Sequence, residues 1–291
     1  MKGIVLAGGS GTRLYPLTIA TSKQLMPVYD KPMIYYPIST LMLAGIREIL
    51  VITNPHEIDQ FKRLLGDGSA WGISISYASQ DAPRGLADAL LVGEKFLGGS
   101  PVMMILGDNI FHGNGLGTAL SRIKSPRGAT ILAYSVSNPS EYGVLEFQSD
   151  SSDARVIGIE EKPAIPKSSW VVPGLYFYNS NVVEMAKTLK PSKRGELEIT
   201  DLNNLYLQSG GLDVVCLERG TAWLDTGSFE TLLEASEYVR IVEKRQGTKI
   251  GCPEEIAWRL GLISDEALAR IATSLEKSGY GSYLHNLLKS K

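Results

Sequence analysis

Near its N-terminus the chain reads Ile4-Val5-Leu6-Ala7-Gly8-Gly9-Ser10-Gly11-Thr12-Arg13, and Lys23 follows shortly after. The apolar run predicts a buried strand. The glycines predict a loop whose backbone N–H groups can come close to an anion, because no Cβ blocks the approach. Since Arg13 and Lys23 add positive charge beside the loop, we interpret it as a phosphate-binding loop, with an ordinary tight turn as the alternative.

Two common glycine loops do not fit these residues. A P-loop requires Gly-Lys followed by Ser or Thr, whereas Gly11 precedes Thr12-Arg13. A dinucleotide-binding loop requires G-x-G-x-x-G, and Leu14 stands where its third glycine would be. The sequence therefore argues against a P-loop nucleotidase and against a nicotinamide-dependent oxidoreductase.

The composition excludes several other classes of protein. The chain has 291 residues, 44% of them hydrophobic and 21% charged, which is typical of a globular protein with a large core. Its net charge of −2 gives no reason to expect a nucleic acid or an anionic membrane as partner. Cys216 and Cys252 form neither a disulfide framework nor a zinc spacing. With no long apolar run, we expect a cytoplasmic protein that does not span a membrane.

Short apolar runs alternate with amphipathic segments along most of the chain. This pattern is typical of βαβ units and predicts an α/β fold with a Rossmann-like mixed, mostly parallel central sheet flanked by helices, and a C-terminal helical extension. The predicted strands after the first cover residues 48–53, 73–77, 102–106, 130–136, 143–147, 156–160, 174–178, 212–217 and 223–224. The predicted helices before residue 250 cover residues 33–44, 56–65, 85–96, 116–123, 182–189, 199–208 and 229–244.

Two carboxylates follow predicted strands that are far apart in sequence. Asp108 ends the apolar run 102–106, and Asp225 ends the short run 222–224. Open α/β sheets bind ligands at the carboxyl ends of their strands, and Mg²⁺ needs only one or two protein carboxylates beside phosphate and water. We therefore predict a Mg²⁺ site shared by Asp108 and Asp225. The alternative is that each aspartate caps a turn or a helix.

Several further motifs, taken with the glycine loop, resemble the sugar nucleotidyltransferase family over essentially the full length of the chain. They are Ser22-Lys23-Gln24-Leu25-Met26-Pro27, Lys31-Pro32-Met33-Ile34, Gly107-Asp108-Asn109, Glu160-Glu161-Lys162-Pro163, Pro173-Gly174-Leu175-Tyr176-Phe177-Tyr178, Arg194-Gly195-Glu196-Leu197-Glu198-Ile199-Thr200-Asp201, Trp223-Leu224-Asp225-Thr226-Gly227 and Cys252-Pro253-Glu254-Glu255-Ile256-Ala257. Their combination is similar to the thymidylyl-transferring members, which join dTTP to glucose 1-phosphate in the first step of dTDP-rhamnose and deoxysugar synthesis.

The resemblance implies a division of the chain and a set of site residues. A nucleotidyltransferase domain would span residues 1–250, with a nucleotide-binding half at 1–112 and a sugar-binding half at 113–250, and the helical extension would span 251–291. The nucleotide would be held by Gly8, Gly9, Gly11, Thr12, Arg13, Lys23, Gln24, Gln80 and Gly85. The sugar phosphate would be held by Asn109, Tyr142, Gly143, Glu161, Lys162 and Val172. The catalytic set would be Arg13, Lys23, Lys162, Asp108 and Asp225, with Mg²⁺ on the two aspartates.

The family also has a second nucleotide site for end-product inhibition, at an interface of a homotetramer. The resemblance implies Arg219, Glu255 and Arg259 as its residues here. The sequence departs from the family at two positions: Asp88 replaces a glutamine in Gly85-Leu86-Ala87-Asp88-Ala89, and His112 stands where tyrosine is common. Because both lie away from the predicted phosphate and metal residues, they leave the base and sugar preference open, with UTP or CTP as alternative nucleotides.

Overall fold

A mixed sheet forms the centre of the fold. The computed structural model describes residues 1–9, 11–123, 126–149 and 155–290, so Ser10 of the glycine loop lies outside the described residues. The strands in chain order are β1 (Lys2–Ala7), β2 (Pro27–Val28), β3 (Lys31–Pro32), β4 (Glu48–Thr53), β5 (Ser74–Ser79), β6 (Val102–Leu106), β7 (Asn109–His112), β8 (Ala129–Ser135), β9 (Gly143–Phe147), β10 (Val156–Glu161), β11 (Trp170–Val172), β12 (Leu175–Tyr178), β13 (Leu212–Cys216) and β14 (Ala222–Asp225).

Helices cover the sheet and continue to the C-terminus. They are α1 (Tyr35–Leu43), α2 (Ile58–Leu65), α3 (Asp88–Val92), α4 (Glu94–Leu97), α5 (Leu116–Ser121), α6 (Val182–Lys187), α7 (Ile199–Gln208), α8 (Phe229–Gln246), α9 (Pro253–Arg259), α10 (Asp265–Ser274) and α11 (Gly279–Lys289). The predicted α/β class with flanking helices and a helical C-terminal segment is confirmed. In the part of the chain that the structure describes, no helix is long and apolar enough to cross a membrane.

The central sheet has the order β10-β9-β11-β8-β12-β6-β1-β4-β5, with β13 also paired to β8. Its N-terminal strands β6, β1, β4 and β5 are parallel, whereas β12, β8, β11, β9 and β10 pair antiparallel. In the parallel part Ala7 lies opposite Thr53, and Thr53 lies opposite Ser79. The loops that follow these three strands therefore leave the same edge of the sheet.

The apolar run that begins the chain is buried on both faces of the sheet. Val5 and Ala7 pack in one core cluster with Met103 of β6, while Ile4 packs in a second cluster on the other face with Met104. Side chains alternate between the faces of a strand, so a central strand covered by helices on both sides needs apolar residues at every position. This is why the sequence signal of β1 and β6 is continuous rather than alternating.

Four parts of the fold differ from the sequence prediction. Residues 109–112 form β7, which pairs antiparallel with β14 in a separate two-stranded sheet, and β11 and the β2-β3 pair were not predicted. These strands are very short, so they carry little periodicity. The predicted helix at 85–96 is two short helices, α3 and α4, which share Gly93 at their boundary.

The segment that follows α8 is attached to the start of the chain by buried charges. Lys31 is almost fully buried, and its Nζ lies 2.9 Å from Glu243 Oε1 and 2.6 Å from Asp30 Oδ1. Lys249 pairs with both Asp30 and Glu243. Opposite charges that are removed from water need such partners. The helical C-terminal segment is thereby held beside β3 and α8.

Candidate active site

The glycine loop lies at the carboxyl edge of the parallel strands and is braced from both sides. Asn54, which follows β4, donates from Nδ2 to the Gly9 carbonyl at 2.9 Å. The Thr18 hydroxyl donates to the Gly11 carbonyl at 2.7 Å. Gly9 and Gly11 have φ values of 111° and 59°, a region that glycine adopts without strain. The loop is thus preformed, and neither Asn54 nor Thr18 was predicted from the sequence.

A cavity of about 240 Å³ opens onto this loop. It brings together most of the residues predicted to hold the nucleotide phosphates: Gly8, Gly9, Gly11, Thr12, Arg13, Lys23 and Gln24, with Asp108 and Gly227. Backbone amides and two cationic side chains in one concave site form a surface that suits an anion.

A second cavity of about 340 Å³ adjoins the first, and Arg13 and Asp108 line both. All residues predicted for the sugar phosphate line it, namely Asn109, Tyr142, Gly143, Glu161, Lys162 and Val172, together with Asp225. The two cavities meet at the catalytic set that the resemblance implied. The predicted residues therefore converge, although they come from most of the length of the chain.

Asp108 and Asp225 lie side by side at the junction of the cavities. Asp225 is opposite Asn109 in the β14-β7 pair, and the Thr226 hydroxyl donates to the Asp108 carbonyl at 2.9 Å. Lys23 Nζ donates to Asp108 Oδ2 at 2.5 Å. Register between two short strands, rather than the main sheet, thus brings the carboxylates together.

The two carboxyl groups have opposite pKa shifts. Burial raises the pKa of Asp225 to about 6, helped by the charge of Asp108, while Lys23 and Arg13 act in the other direction. Burial also acts to raise the pKa of Asp108, but its ion pair with Lys23 outweighs burial and lowers that pKa. At Asp225, burial and the charge of Asp108 therefore outweigh the positive charges of Lys23 and Arg13.

These two aspartates fit Mg²⁺ better than a transition metal. Among the residues that the structure describes, no group of three or more His, Cys, Asp or Glu side chains is arranged to hold a metal ion. Mg²⁺ keeps several waters and takes one or two carboxylates, with substrate phosphates as its other ligands. A divalent cation beside Asp225 would add positive charge and so favour the ionised form of this carboxyl group.

Asn109 and Tyr142 are held by Trp223, which was not among the predicted site residues. Trp223 Nε1 donates to Asn109 Oδ1 at 2.6 Å, and Asn109 Nδ2 donates to Asp108 Oδ1 at 2.8 Å. The Trp223 ring contacts the ring of Tyr142 edge to face, with 5.0 Å between ring centroids. Asn109 is 2% exposed, so it orients Asp108 more than it meets solvent.

Lys162 adopts a backbone conformation that is rare outside glycine, with φ of 47°. Its N–H donates to the Tyr142 carbonyl at 3.0 Å, which ties the turn after β10 to the turn before β9. Such strain concentrates at functional sites, where surrounding structure holds it in place. The side chain lines the second cavity.

Glu161 is fixed by a residue from α7 that sequence reasoning also missed. The Thr200 hydroxyl donates to Glu161 Oε2 at 2.6 Å. Arg194, Glu198 and Thr200 line the same cavity, and Arg194 donates to both carboxylate oxygens of Glu198 at 2.9 Å. All three belong to a motif that carried the family resemblance, so the motif was the signal that could have found them.

Gln80 and Gly85 lie beside the glycine loop, after β5. Gln80 is buried, and its Oε1 lies 3.8 Å from where a Cβ on Gly8 would stand. Its Nε2 donates to the Gly85 carbonyl at 3.3 Å and to Asp88 Oδ2 at 2.6 Å. Asp88 thus contacts Gln80, one of the two residues predicted to meet the base.

The residues predicted for a second nucleotide site are only partly brought together. Glu255 and Arg259 line a third cavity of about 220 Å³ between α1, α5 and α9, and Arg259 Nε donates to Glu255 Oε1 at 2.7 Å. His112 lines this cavity as well, with its Nδ1 2.8 Å from the Tyr238 hydroxyl. Arg219 is exposed and does not line it.

Comparison with known proteins identifies the family. The nucleotidyl transferase family model matches residues 2–241. The glucose-1-phosphate thymidylyltransferase of Mycolicibacterium smegmatis is 58% identical over 288 residues, which cover 99% of each chain. That of Neisseria meningitidis is 58% identical over 290 residues, covering 99% of this chain and 100% of the relative.

Solved structures agree with this result. A glucose-1-phosphate thymidylyltransferase from Bacillus anthracis, in complex with sucrose, superposes with a TM-score of 0.75 at 41% identity, covering 82% of this chain and 95% of that one. A UDP-glucose pyrophosphorylase with bound UDP-glucose has a TM-score of 0.69 at 25% identity and covers 83% and 98% of the two chains. The chain therefore belongs to the nucleotidyl transferase family, within the group of the glucose-1-phosphate thymidylyltransferases.

Proposed function

We propose that this protein condenses dTTP with α-D-glucose 1-phosphate to give dTDP-glucose and pyrophosphate. The observation that carries the proposal is the pair of adjoining cavities, one at the glycine loop and one around Lys162, which share Arg13 and Asp108. Two anionic substrates need two such subsites that meet where the new bond forms. The thymidylyltransferase relatives, at more than half identity over almost the whole chain, support the choice of dTTP and glucose 1-phosphate.

The first cavity binds the nucleoside triphosphate in this proposal, and the second binds the sugar 1-phosphate. Gly8, Gly9, Gly11, Thr12, Arg13, Lys23 and Gln24 hold the triphosphate, and Gln80 and Gly85 meet the base. Glu161, held by Thr200, accepts hydrogen bonds from sugar hydroxyls. Lys162 binds the phosphate of the sugar. Asn109, Tyr142, Gly143 and Val172 complete the wall around the sugar.

The reaction is an in-line displacement at the α-phosphorus of dTTP. An oxygen of the sugar phosphate attacks, and pyrophosphate leaves on the opposite side. No protein nucleophile is needed, because a phosphate monoester with a second pKa near 6 is already largely dianionic at neutral pH. The protein brings two mutually repelling anions together and stabilises charge that develops at the α-phosphate. Arg13, Lys23 and Lys162 are placed for this role.

Asp108 and Asp225 hold Mg²⁺ in the proposed complex. Held by these two carboxylates, Mg²⁺ would supply positive charge that offsets the repulsion between the substrate phosphates. Lys23, which pairs with Asp108 at 2.5 Å, keeps that carboxylate ionised and oriented. Asn109 orients the other oxygen of Asp108.

We infer a second, regulatory nucleotide site at the third cavity. Its support is the 220 Å³ space beside Glu255 and Arg259, well separated in sequence from the catalytic residues. Arg219 does not line this cavity within the chain, so in the proposed homotetramer we assign it to the same site from another subunit. The protein works in the cytoplasm, where dTTP and sugar phosphates are available.

The test measures pyrophosphate release with dTTP and glucose 1-phosphate, in parallel with UTP, CTP and galactose 1-phosphate. We expect the first pair to give the highest kcat/KM and removal of Mg²⁺ by EDTA to stop release. Faster release with UTP or CTP would assign another nucleotide to the same fold. Nucleotide binding without any pyrophosphate release would instead indicate a regulatory subunit.

A further inference from the structure

Asp88 is a buried carboxylate at the nucleotide end of the sheet, and the proposed roles above do not use it. It is 6% exposed and is the first residue of α3. Its Oδ2 accepts a hydrogen bond from Gln80 Nε2 at 2.6 Å, and its Oδ1 lies 3.4 Å from Arg84 Nε. Both neighbours are donors. An ionised carboxylate only accepts hydrogen bonds, so each group that contacts the Asp88 carboxylate must turn a donor toward it.

Both hydrogens of the Gln80 amide nitrogen are used on this side. One is donated to Asp88 and the other to the Gly85 carbonyl at 3.3 Å. The Gly85 backbone is pinned in turn, because a Cβ there would lie 2.4 Å from the Leu197 carbonyl oxygen. The reversed amide would place its oxygen against two acceptors, and the hydrogen-bond network decides such orientations. The Gln80 amide therefore has one orientation.

The oxygen of Gln80 consequently points toward the glycine loop. It lies 3.8 Å from the Cβ position of Gly8, and among the residues that the structure describes it accepts no hydrogen bond. Gln80 follows β5 and Gly8 follows β1, two parallel strands of the same sheet edge. An unused acceptor therefore faces the space beside the proposed triphosphate site.

We propose that Asp88 is a positioning residue that selects the base of the nucleotide by fixing the Gln80 amide with its oxygen toward the base. This inference rests on the proposed function, since it assumes that Gln80 meets the base of a bound nucleoside triphosphate. Thymine and uracil carry an N–H at N3, which donates to the Gln80 oxygen. Cytosine carries an acceptor at N3, so two acceptors would oppose each other. Asp88 thus favours thymine and uracil over cytosine through Gln80.

The test compares equilibrium binding of dTTP, dUTP and dCTP to the wild type and to Asp88→Asn by calorimetry, without sugar phosphate. We expect the wild type to prefer dTTP over dCTP by at least about 100-fold, as a site built for one donor rejects its counterpart. An amide at position 88 can donate as well as accept, so the oxygen of a reversed Gln80 amide would oppose one acceptor, the Gly85 carbonyl, instead of two. We therefore expect the dCTP-to-dTTP ratio of Kd values to fall at least about tenfold.

Two controls distinguish a change in base preference from a general loss of protein stability. The ratio for dUTP and dTTP should stay unchanged in Asp88→Asn, because these bases share the N3–H. Arg84→Gln should leave all ratios unchanged, because the Asp88 carboxylate remains. Asp88→Ala, which removes the acceptor altogether, is the second variant if Asp88→Asn does not fold, and it should also reduce the preference for dTTP over dCTP.

An unchanged dCTP-to-dTTP ratio in a folded Asp88 variant, or equal weakening of all three nucleotides, would overturn the inference. Failure of the proposed function has a different signature. A wild type that releases no pyrophosphate but keeps an Asp88-dependent base preference would refute the transferase and support base selection. A wild type that binds none of the three nucleotides would refute both.

Discussion

Asp225→Asn should make the metal-free protein more stable while abolishing its turnover. Folding buries this carboxyl beside Asp108 and raises its pKa from 3.8 to about 6. The ionised form is therefore disfavoured in the folded state relative to the unfolded state. Since one pKa unit corresponds to about 1.4 kcal/mol, the charge of Asp225 lowers stability at neutral pH by up to about 3 kcal/mol.

The stability gained by Asp225→Asn should depend on pH. The folded state binds this proton more tightly than the unfolded state, so wild-type stability falls as pH rises from about 4 to about 6. The amide that replaces the carboxylate must still be desolvated, which leaves a gain of about 1–2 kcal/mol at pH 7.5. For a chain of this size the Tm should rise by about 2–6 °C. The gain should shrink as pH falls toward 4 and disappear below the unfolded pKa of 3.8, where the wild-type carboxyl is protonated in both states.

The assay is thermal unfolding followed by circular dichroism, in EDTA, at several pH values between 4 and 8. Asp30→Asn is a matched control outside the catalytic cavities. Burial acts to raise the Asp30 pKa, but Lys31 and Lys249 outweigh it and lower the pKa, so this variant should lose stability at neutral pH. An Asp225→Asn protein that is less stable than the wild type at pH 7.5, or equally shifted at every pH, would refute the reasoning.

Three other substitutions test the remaining parts of the site. Lys162→Ala should raise the KM for glucose 1-phosphate at least about tenfold and the KM for dTTP little, because Lys162 lines only the second cavity; a selective rise for dTTP would move it to the other subsite. Asp108→Asn should lower kcat by at least about 100-fold, and near wild-type rates at limiting Mg²⁺ would contradict the two-aspartate site. Gly85→Ala should lower the free energy of unfolding in urea by at least about 2 kcal/mol and weaken dTTP binding, because its Cβ would meet the Leu197 backbone. Gly195→Ala is the control: its φ is also positive but the space around it is open, so it should lower the free energy of unfolding by only about 1 kcal/mol.

The predicted anion-binding character of the glycine loop followed from local sequence. The dihedral freedom of Gly9 and Gly11 is a property of those residues, and the exclusion of a P-loop depended only on the residues after Gly11. The strands at 48–53 and 102–106 were predicted with their observed bounds. A strand buried on both faces requires a continuous apolar run, and such a run is visible without any partner.

The contacts that hold the site residues in place could not be predicted from local sequence. Asn54, Thr18 and Trp223 act through hydrogen bonds and ring contacts across the fold, and local sequence does not show which partners they meet. Strands β7 and β11 were also not predicted, because they are too short to show a period. Strand register, which places Asp225 opposite Asn109, depends on pairing between distant segments.

Asp88 shows most clearly what the sequence determines and what only the tertiary structure decides. The sequence determined that an acid replaces a glutamine near the predicted base site, and it left open whether that acid faces the pocket. Only the tertiary structure decided that it contacts Gln80, because Gln80 after β5 and Asp88 at the start of α3 meet across a loop pinned by Leu197. The sequence by itself determines which groups can accept, donate or carry charge, since these are properties of single residues. The tertiary structure decides which of those groups face each other, since distance and direction arise only from long-range packing.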